Sequence, residues 1–471
     1  MNIVSRIKNE FKDNTDLIIR TYKISIFRKI DLVFLETVAS NDKINELVLK
    51  NLVNIINLKK HFGKLNNLLA GSNCVKINKY DEIEFYLTNG YVLIIEKNEV
   101  YAIEARLNVF RSITSPQVHT SINGPKDAFV ESYLLNVGLI KRRIRSNKLK
   151  NKTLVIGRKT KTFVGIFYLE DITDLEIVDK IYKKLKTIDI DGIIDSSNIA
   201  HLLSGESRSL FPTVRYSERP DDVSKNLLNG KIALVVDNST FVLIIPSFFT
   251  DFFHPYTDAY TKSINVNFIK VLRTLAFFFT IMGPGLYIAI VNYNQEAIPT
   301  NLLLNFATQR EGMPFPAFIE AFIILFLSEV LRESDLRFPS TYGSSISILG
   351  ALVLGDAAVS AGIVSPIMII VISLSYISCL MFSDVDMINA TRYYRFLFLV
   401  CSALFGLYGW ILIIFFLLIE LCSTYVVDKP YTIPIAPYDR SYFKTNVLKS
   451  DENKNKLRST TLAKKNLVRE K

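Results

Sequence analysis

The sequence is poor in the residues that build disulfide frameworks, metal centres and common catalytic motifs. Its 471 residues hold four cysteines, Cys74, Cys379, Cys401 and Cys422, which lie far apart and form no C-x-x-C pair. That spacing argues against structural disulfides and thiolate metal sites. The four histidines, His61, His119, His201 and His254, are equally scattered and read as surface or packed side chains rather than ligands. No G-x-x-x-x-G-K-S/T, H-E-x-x-H, G-x-S-x-G or glycine-rich dinucleotide turn occurs, so an enzyme is not expected, nor any cofactor or metal. The opening "MNIVSRIKNEFKDNTD" has no apolar core of signal-peptide length, and long apolar runs are missing before Thr261. The N-terminal region is therefore expected to stay in the cytosol.

What is present divides the chain sharply. Hydrophobic residues make up 49% and charged residues 21%, with a formal net charge of +11, but these averages mix two regimes. Charges recur every few positions up to Thr261; from Thr274 to Leu421 apolar blocks follow one another; after Asp428 lysine and arginine dominate again. The expected organisation is multidomain: two N-terminal α/β cytosolic subdomains at 1–148 and 149–261, an all-α membrane domain of about five apolar segments at 262–425, and a basic, partly disordered cytosolic tail at 426–471. Basic charge clustered beside a membrane favours anionic lipid over nucleic acid as partner.

Within the first subdomain, "LIIRTYKIS" and "KIDLVFLETV" read as strands and "KINELVLKNLVNIINL" as a helix. Strands are also expected across "DEIEFYLTNGYVLIIEKNEVYAIEAR", with Asn89-Gly90 as a hairpin turn. "GPKDAFVESYLLNVGLIKRRIRS" reads as a helix opened near Pro125, with Asp127 at its positive end and Lys141, Arg142, Arg143 and Arg145 at its negative end. The second subdomain starts with the strand pair "KTLVIGRKTKTFVGIFYLE", continues through a helix at "TDLEIVDKIYKKLKTI" and reaches the hairpin "KIALVVDNSTFVLIIP". "SERPDD" suits a loop linking the units, with Glu218 and Arg219 as a structural ion pair. The aromatics of "SFFTDFFHPYTDAY" fit a membrane headgroup layer, or alternatively a buried loop of the second unit.

Five apolar blocks follow, at roughly 274–293, 316–330, 344–364, 366–383 and 396–421, against about 20 residues needed to cross a bilayer core. The third and fourth are separated only by Ser365-Pro366, which leaves room for a tight re-entrant hairpin or one broken segment. With both chain ends on the cytosolic side the number of crossings must be even. One block then fails to cross, and the short second block, which carries Glu320 and Glu329, is the expected one.

Five of these stretches, in order, resemble the GerA-type A subunits of bacterial spore germinant receptors. They are "NGPKDAFVESYLLNVGLIKRRI" with Gly124 and Pro125, "FPTVRYSERPDDV" with Glu218, Arg219, Pro220 and Asp221, "GKIALVVDNSTFVLIIP" with Asp237, "MPFPAFIEAFIILFLSEVLRESDLRFPS", and "GSSISILGALVLGDAAVSAGIVSPIMIIVISLS". The chain departs from the family at Ser217, where threonine is usual, at "DNST" (237–240), at "FLETVAS" (34–40) and after Pro437. The resemblance implies a multi-pass subunit of a spore inner-membrane complex, acting with a transporter-like B subunit and a lipoprotein C subunit. It further implies a homo-oligomeric channel for monovalent cations that opens in response to a nutrient. The alternative is a non-conducting scaffold or accessory germination subunit.

The residues offer a conduction path. On a helix, Ala351, Gly355, Ala358 and Gly362 form a stripe of small residues for close packing, and Ser345, Asp356 and Ser360 fall on an adjacent side. A carboxylate in hydrocarbon costs several kcal/mol unless it faces water, protein or a cation, so Asp356 is expected to point toward a pore or a protein interior, or alternatively to lie near the membrane boundary with no role in transport. Glu320 and Glu329 are nine positions apart and fall on opposite sides of a straight helix; both cannot line one channel. Glu329 has Arg332 and Glu333 within a turn and reads as interfacial, which leaves Glu320 for the deeper role, either in a ring of carboxylates or paired inside one subunit with Arg273 or another buried base. Gly283-Pro284-Gly285 is a candidate hinge, or a static kink.

Overall fold

The computed structural model describes residues 3–25, 28–50, 74–97, 99–107, 124–204, 209–337, 355–382, 384–449 and 457–469. The N-terminal region is built on two five-stranded sheets with antiparallel pairings. In the first, β1 (Leu17–Ser25), β2 (Arg28–Leu35), β3 (Cys74–Ile77), β4 (Tyr91–Glu96) and β5 (Glu99–Glu104) are ordered β1-β2-β4-β5-β3. Alternation places Ile30, Leu32, Val92 and Ile94 on one face and Val33, Leu35, Leu93 and Ile95 on the other, and both faces are buried. Helix α1 (Ile3–Glu10) covers the second face through Ile7 together with α2 (Glu82–Thr88).

The second helix corrects an expectation. Residues 82–88 are not a strand, because Ile83 and Leu87 are spaced four apart and bury together. Gly90, at φ +80°, follows the end of that helix, where an added Cβ would lie 2.6 Å from the Val38 carbonyl oxygen. The hairpin turns one strand later, between Glu96 and Glu99. The helix expected from "KINELVLKNLVNIINL" is seen from Asn41 through Lys50; the remainder lies outside the described residues.

In the second sheet, β6 (Leu149–Ile156), β7 (Thr162–Leu169), β8 (Arg215–Ser217), β9 (Ile232–Val236) and β10 (Val242–Ile245) are ordered β6-β7-β9-β10-β8. Ala233, Val235, Val242 and Ile244 pack under α3 (Tyr133–Arg143) and α6 (Pro220–Leu228). The intervening Ile232, Leu234, Val236 and Leu243 pack under α4 (Leu175–Lys186) and α5 (Ser196–Ser204). Near-continuous apolar strands suit a sheet covered on both faces. The sheets are joined by the buried Lys141–Asp16 pair at 2.6 Å and by Lys150 donating to the Glu10 carbonyl at 2.7 Å.

The third helix begins at Tyr133, not near Pro125. Asp127 therefore does not cap it, and instead bonds Arg143 at its far end, at 2.6 Å. Its start is held by Asp237, which accepts from the Tyr133 N–H at 3.1 Å. "SERPDD" is no linker: it is the junction between β8 and α6, and Arg219 pairs with Asp221 at 2.9 Å.

The C-terminal half is a helical bundle of α7 (Ser263–Tyr293), α8 (Thr300–Arg310), α9 (Ala317–Arg337), helical residues at 355–360, α10 (Pro366–Cys379) and α11 (Val385–Ser423). Among the described residues, two helices, α7 and α11, are long and apolar enough to cross a membrane; the third of the five expected apolar blocks, 344–364, lies partly outside them. The second block is longer than its apolar run, a 21-residue helix that takes in "LRESDLR". Large apolar side chains on the bundle's outer surface, among them Phe268, Leu275, Ile370, Phe405, Phe415 and Ile419, are exposed, as expected of a surface that meets lipid or other apolar protein.

The last helix is two arms. Gly406 takes φ +61°, ψ −142°, which is not helical, and the chain reverses there. A straight helix would hold Tyr394 and Glu420 about 39 Å apart. Yet Phe211 stacks on Tyr394 with ring centroids 5.4 Å apart, while Ser209 and the Leu210 N–H donate to Glu420 at 3.0 and 2.8 Å. Tyr293 stabilises the reversal by donating to the Ala403 carbonyl at 2.6 Å. The final apolar block thus doubles back, so an even number of passes no longer requires the glutamate-bearing block to stop short.

The tail is not a free basic segment. Residues 424–449 and 457–469 pack back onto the second sheet's unit, with Tyr431, Ile433, Tyr442, Leu462 and Ala463 buried and Ala463 bridging Thr173. The aromatic stretch before the bundle is likewise an interior element: Phe248, Phe252 and Phe253 are buried, and Phe253 packs edge-on against Phe277 and Phe382. Tyr260, just before α7, is exposed, at 42%.

Candidate functional site

Two polar constellations are positioned by this fold. The first joins the soluble region to the bundle. Arg219 is fully buried, and its guanidinium grips Asp221 in a two-point pair, Nε to Oδ1 at 3.1 Å and Nη2 to Oδ2 at 2.9 Å, while also donating to the Pro125 carbonyl at 2.6 Å. Such a fork needs arginine, because lysine offers a point charge rather than two parallel donors. The Tyr260 hydroxyl donates to the same Asp221 at 2.5 Å, and Tyr260 lies three residues before α7. Gly124, at φ +110°, lets the Tyr260 ring sit close; an added Cβ would lie 2.7 Å from that ring. Gly124, Pro125, Arg219, Pro220 and Asp221, drawn from two distant stretches of sequence, therefore meet at one node, whereas Asp237 lies apart from it, at the start of α3. Glu218 accepts at its carbonyl from the Phe129 N–H at 2.8 Å.

The second constellation lies within the bundle. Glu320, with no exposed surface, accepts from the Ser365 N–H at 3.1 Å and the Ser365 hydroxyl at 2.9 Å, with Arg310 at 3.9 Å. These bonds tie α9 to the start of α10 and place Glu320 in a closed interior of one chain. Arg273 is engaged elsewhere: it pairs with Asp258 at 2.8 Å at the base of α7. Glu329 is not a surface cluster with Arg332 and Glu333. It faces Arg392 and the buried Arg395, the latter at 2.9 Å, so one carboxylate meets two guanidiniums from α11. Arg332 reaches Asn389 instead, at 3.5 Å.

Asp356 differs from both glutamates. It is exposed, in the helical stretch at 355–360 that also exposes Ser360. The helix ends there, and Gly362, at φ +63°, is beyond it, so Ala351, Gly355, Ala358 and Gly362 do not form a stripe down one helix. Ala351 and Ser345 lie outside the described residues. An added Cβ at Gly355 or Gly362 meets open space, while Ala358 packs on the cluster around Val364 and Met368. Gly283-Pro284-Gly285 lies inside an unbroken α7, and a Cβ on Gly285 would sit 2.9 Å from the Phe398 carbonyl oxygen and the Ser402 hydroxyl. That glycine serves close approach of α7 to α11, and the bundle's reversal falls at Gly406.

The cation partners of Glu329 and the docking of the tail were missed from sequence because each joins residues tens of positions apart. The signal that was available for the reversal was the Gly406 and Gly409 pair inside an otherwise apolar run, a composition that weakens a helix interior.

The family described as Bacillus/Clostridium GerA spore germination protein matches residues 5–461. The chain is 35% identical over 442 residues to Spore germination protein KA of Bacillus subtilis (strain 168), covering 92% of this chain and 81% of that protein. It is 31% identical to Spore germination protein GerLA of Bacillus cereus, covering 92% and 90%, and 33% identical to the uncharacterized membrane protein YfkQ of Bacillus subtilis (strain 168), covering 89% and 84%. Among solved structures, the N-terminal domain of the A subunit of the Bacillus megaterium spore germinant receptor GerK3 matches with TM-score 0.41 at 28% identity, over 52% of this chain and 94% of that one. The chain belongs to the GerA family of spore germination proteins.

Proposed function

We propose that this protein is the membrane A subunit of a spore germinant receptor, and that it oligomerises into a nutrient-gated channel for monovalent cations. Membership of the family supports the role in germination. The observation that carries the channel reading is the contrast among the bundle's carboxylates: Glu320 and Glu329 are engaged inside one chain, whereas Asp356 is exposed beside Ser360. In a symmetric ring Asp356 would repeat once per subunit, and a ring of carboxylates attracts cations and repels anions. The node of Arg219, Asp221 and Tyr260 gives the soluble region a rigid grip on the chain entering α7. The partners in this reading are a transporter-like B subunit and a lipoprotein C subunit in the spore inner membrane, with the sheets and the docked tail on the cytosolic side.

The test is potassium release from germinating spores carrying Asp356→Asn, with the level of the protein in the inner membrane measured alongside. Slowed release at normal level is expected. Unchanged release at normal level would refute a conducting role for Asp356 and favour a non-conducting scaffold or accessory subunit, the reading that the internal pairing of Glu320 and Glu329 also suits.

A further inference from the structure

A cavity of about 120 Å³ lies where α6, the base of α7 and the C-terminal segment meet. Six basic and three acidic side chains line it. Each acid is already matched: Asp222 to Arg215 at 2.7 Å, Asp251 to Lys231 at 2.5 Å, and Asp258 to Arg273 at 2.8 Å. Three lysines remain without a carboxylate partner among the described residues. Lys225 comes from α6; Lys270, from α7, is buried and donates to the Asn446 carbonyl at 2.6 Å; Lys449, from the C-terminal segment, donates to the carbonyls of Asp258, Ala259 and Thr261 at 2.8 to 2.9 Å. The same wall holds His254, whose two ring nitrogens are buried without a hydrogen-bond partner.

Like charges gathered in a cavity repel, and each buried polar atom left unbonded carries a desolvation cost. Burial, followed by the fields of Lys270 and Arg273, holds the His254 pKa well below its usual value, so the ring is neutral and keeps one N–H to donate. A small anion with several acceptor oxygens would relieve the repulsion and use the free donors at once.

We propose that this cavity binds a phosphate group, drawn either from free phosphate or from the headgroup of an anionic lipid at the membrane surface. The bound group bridges the soluble unit, through Lys225, and the first long bundle helix, through Lys270; Lys449, whose three N–H groups are taken by carbonyls, contributes its charge. Occupancy therefore stiffens the joint between the soluble region and the bundle.

The test uses the full-length chain in phosphatidylcholine nanodiscs, followed by thermal melting. Potassium phosphate is titrated against potassium chloride at equal ionic strength, and a second set of discs replaces part of the neutral lipid with phosphatidylglycerol. Lys225→Gln is the variant of choice, because Lys225 is exposed to the cavity and its loss leaves the paired acids intact. A saturable rise in midpoint with phosphate, weakened about tenfold in apparent affinity by Lys225→Gln, assigns free phosphate; stabilisation by phosphatidylglycerol alone that the same variant reduces assigns the headgroup. The proposal is overturned if neither phosphate beyond chloride nor phosphatidylglycerol stabilises the chain, or if Lys225→Gln responds as the unmodified protein does.

Discussion

Gly406→Ala tests the reversal of the last helix. Alanine at φ +61°, ψ −142° occupies a region that side chains avoid, at a cost of about 1–3 kcal/mol. The added methyl would also lie 2.9 Å from the Tyr293 ring, and overpacking of that kind costs about 1–3 kcal/mol. The sum, roughly 2–6 kcal/mol, is a large share of a typical domain's stability of about 5–15 kcal/mol. The variant then either loses stability or straightens the helix. Straightening would carry Trp410 about 18 Å along the axis from Phe398, its present edge-on neighbour at 6.3 Å. Trp410 is the sole tryptophan, so intrinsic fluorescence of the purified protein reports its place directly. A lower melting midpoint, with a shifted emission maximum and altered quenching by brominated lipid, is expected. If Gly406→Ala melts and fluoresces as the unmodified chain does, the reversal does not rest on this glycine and the reasoning fails.

Three further outcomes follow from the same geometry. Arg219→Met removes the two-point pair with Asp221 and the Pro125 contact inside a buried node; a loss of about 3–5 kcal/mol, as for breaking a buried pair, should appear as a reduced melting midpoint and reduced accumulation in the membrane. Gly285→Leu forces α7 from α11 and should destabilise by about 1–3 kcal/mol at least, whereas a hinge role would instead alter the rate of cation release at unchanged stability. Asp439 holds the C-terminal segment: burial would raise its pKa, but the Tyr442 N–H with Ser459, Thr461 and Ser441 outweighs it and holds the carboxyl at about 2. Because that value is depressed in the folded chain, the stabilisation is present above pH 4 and is lost as pH falls toward 2; proteolysis of the C-terminal segment should rise across that window, and Asp439→Ala should show the raised cleavage already at neutral pH.

Periodicity made much of the soluble region legible. Strands with apolar residues at every position, such as "IALVV", announced a sheet covered on both faces, and "LEIVDKIYKKLK" carried its buried Ile177, Val178, Ile181 and Leu185 at helical spacing. The misplaced elements had competing signals. Asn89-Gly90 satisfies a hairpin turn and a helix end equally, and what decided was the burial of Ile83 and Leu87 four residues apart. Pro125 permits a helix start, yet the start moved to Tyr133, where Asp237, distant in sequence, supplies the acceptor. In the bundle, composition located the apolar segments but not their pairings. A buried carboxylate demands a partner, and sequence alone could not single it out: Glu320 met Ser365 and Arg310 rather than Arg273, and Glu329 met Arg392 and Arg395. The basic tail misled because its net charge masked Tyr431, Ile433, Tyr442 and Leu462, which bury against the soluble unit.

The conduction claim is tested most directly by reconstituting the purified protein into planar bilayers and measuring the permeability ratio of potassium to chloride for the unmodified chain and for Asp356→Asn. A cation-selective conductance is expected whose preference for potassium falls when the carboxylate is neutralised, with Glu320→Gln leaving selectivity unchanged because that side chain is enclosed within one chain. A conductance whose selectivity ignores Asp356 and follows Glu320, or the absence of any conductance from folded, oligomeric protein, would contradict it.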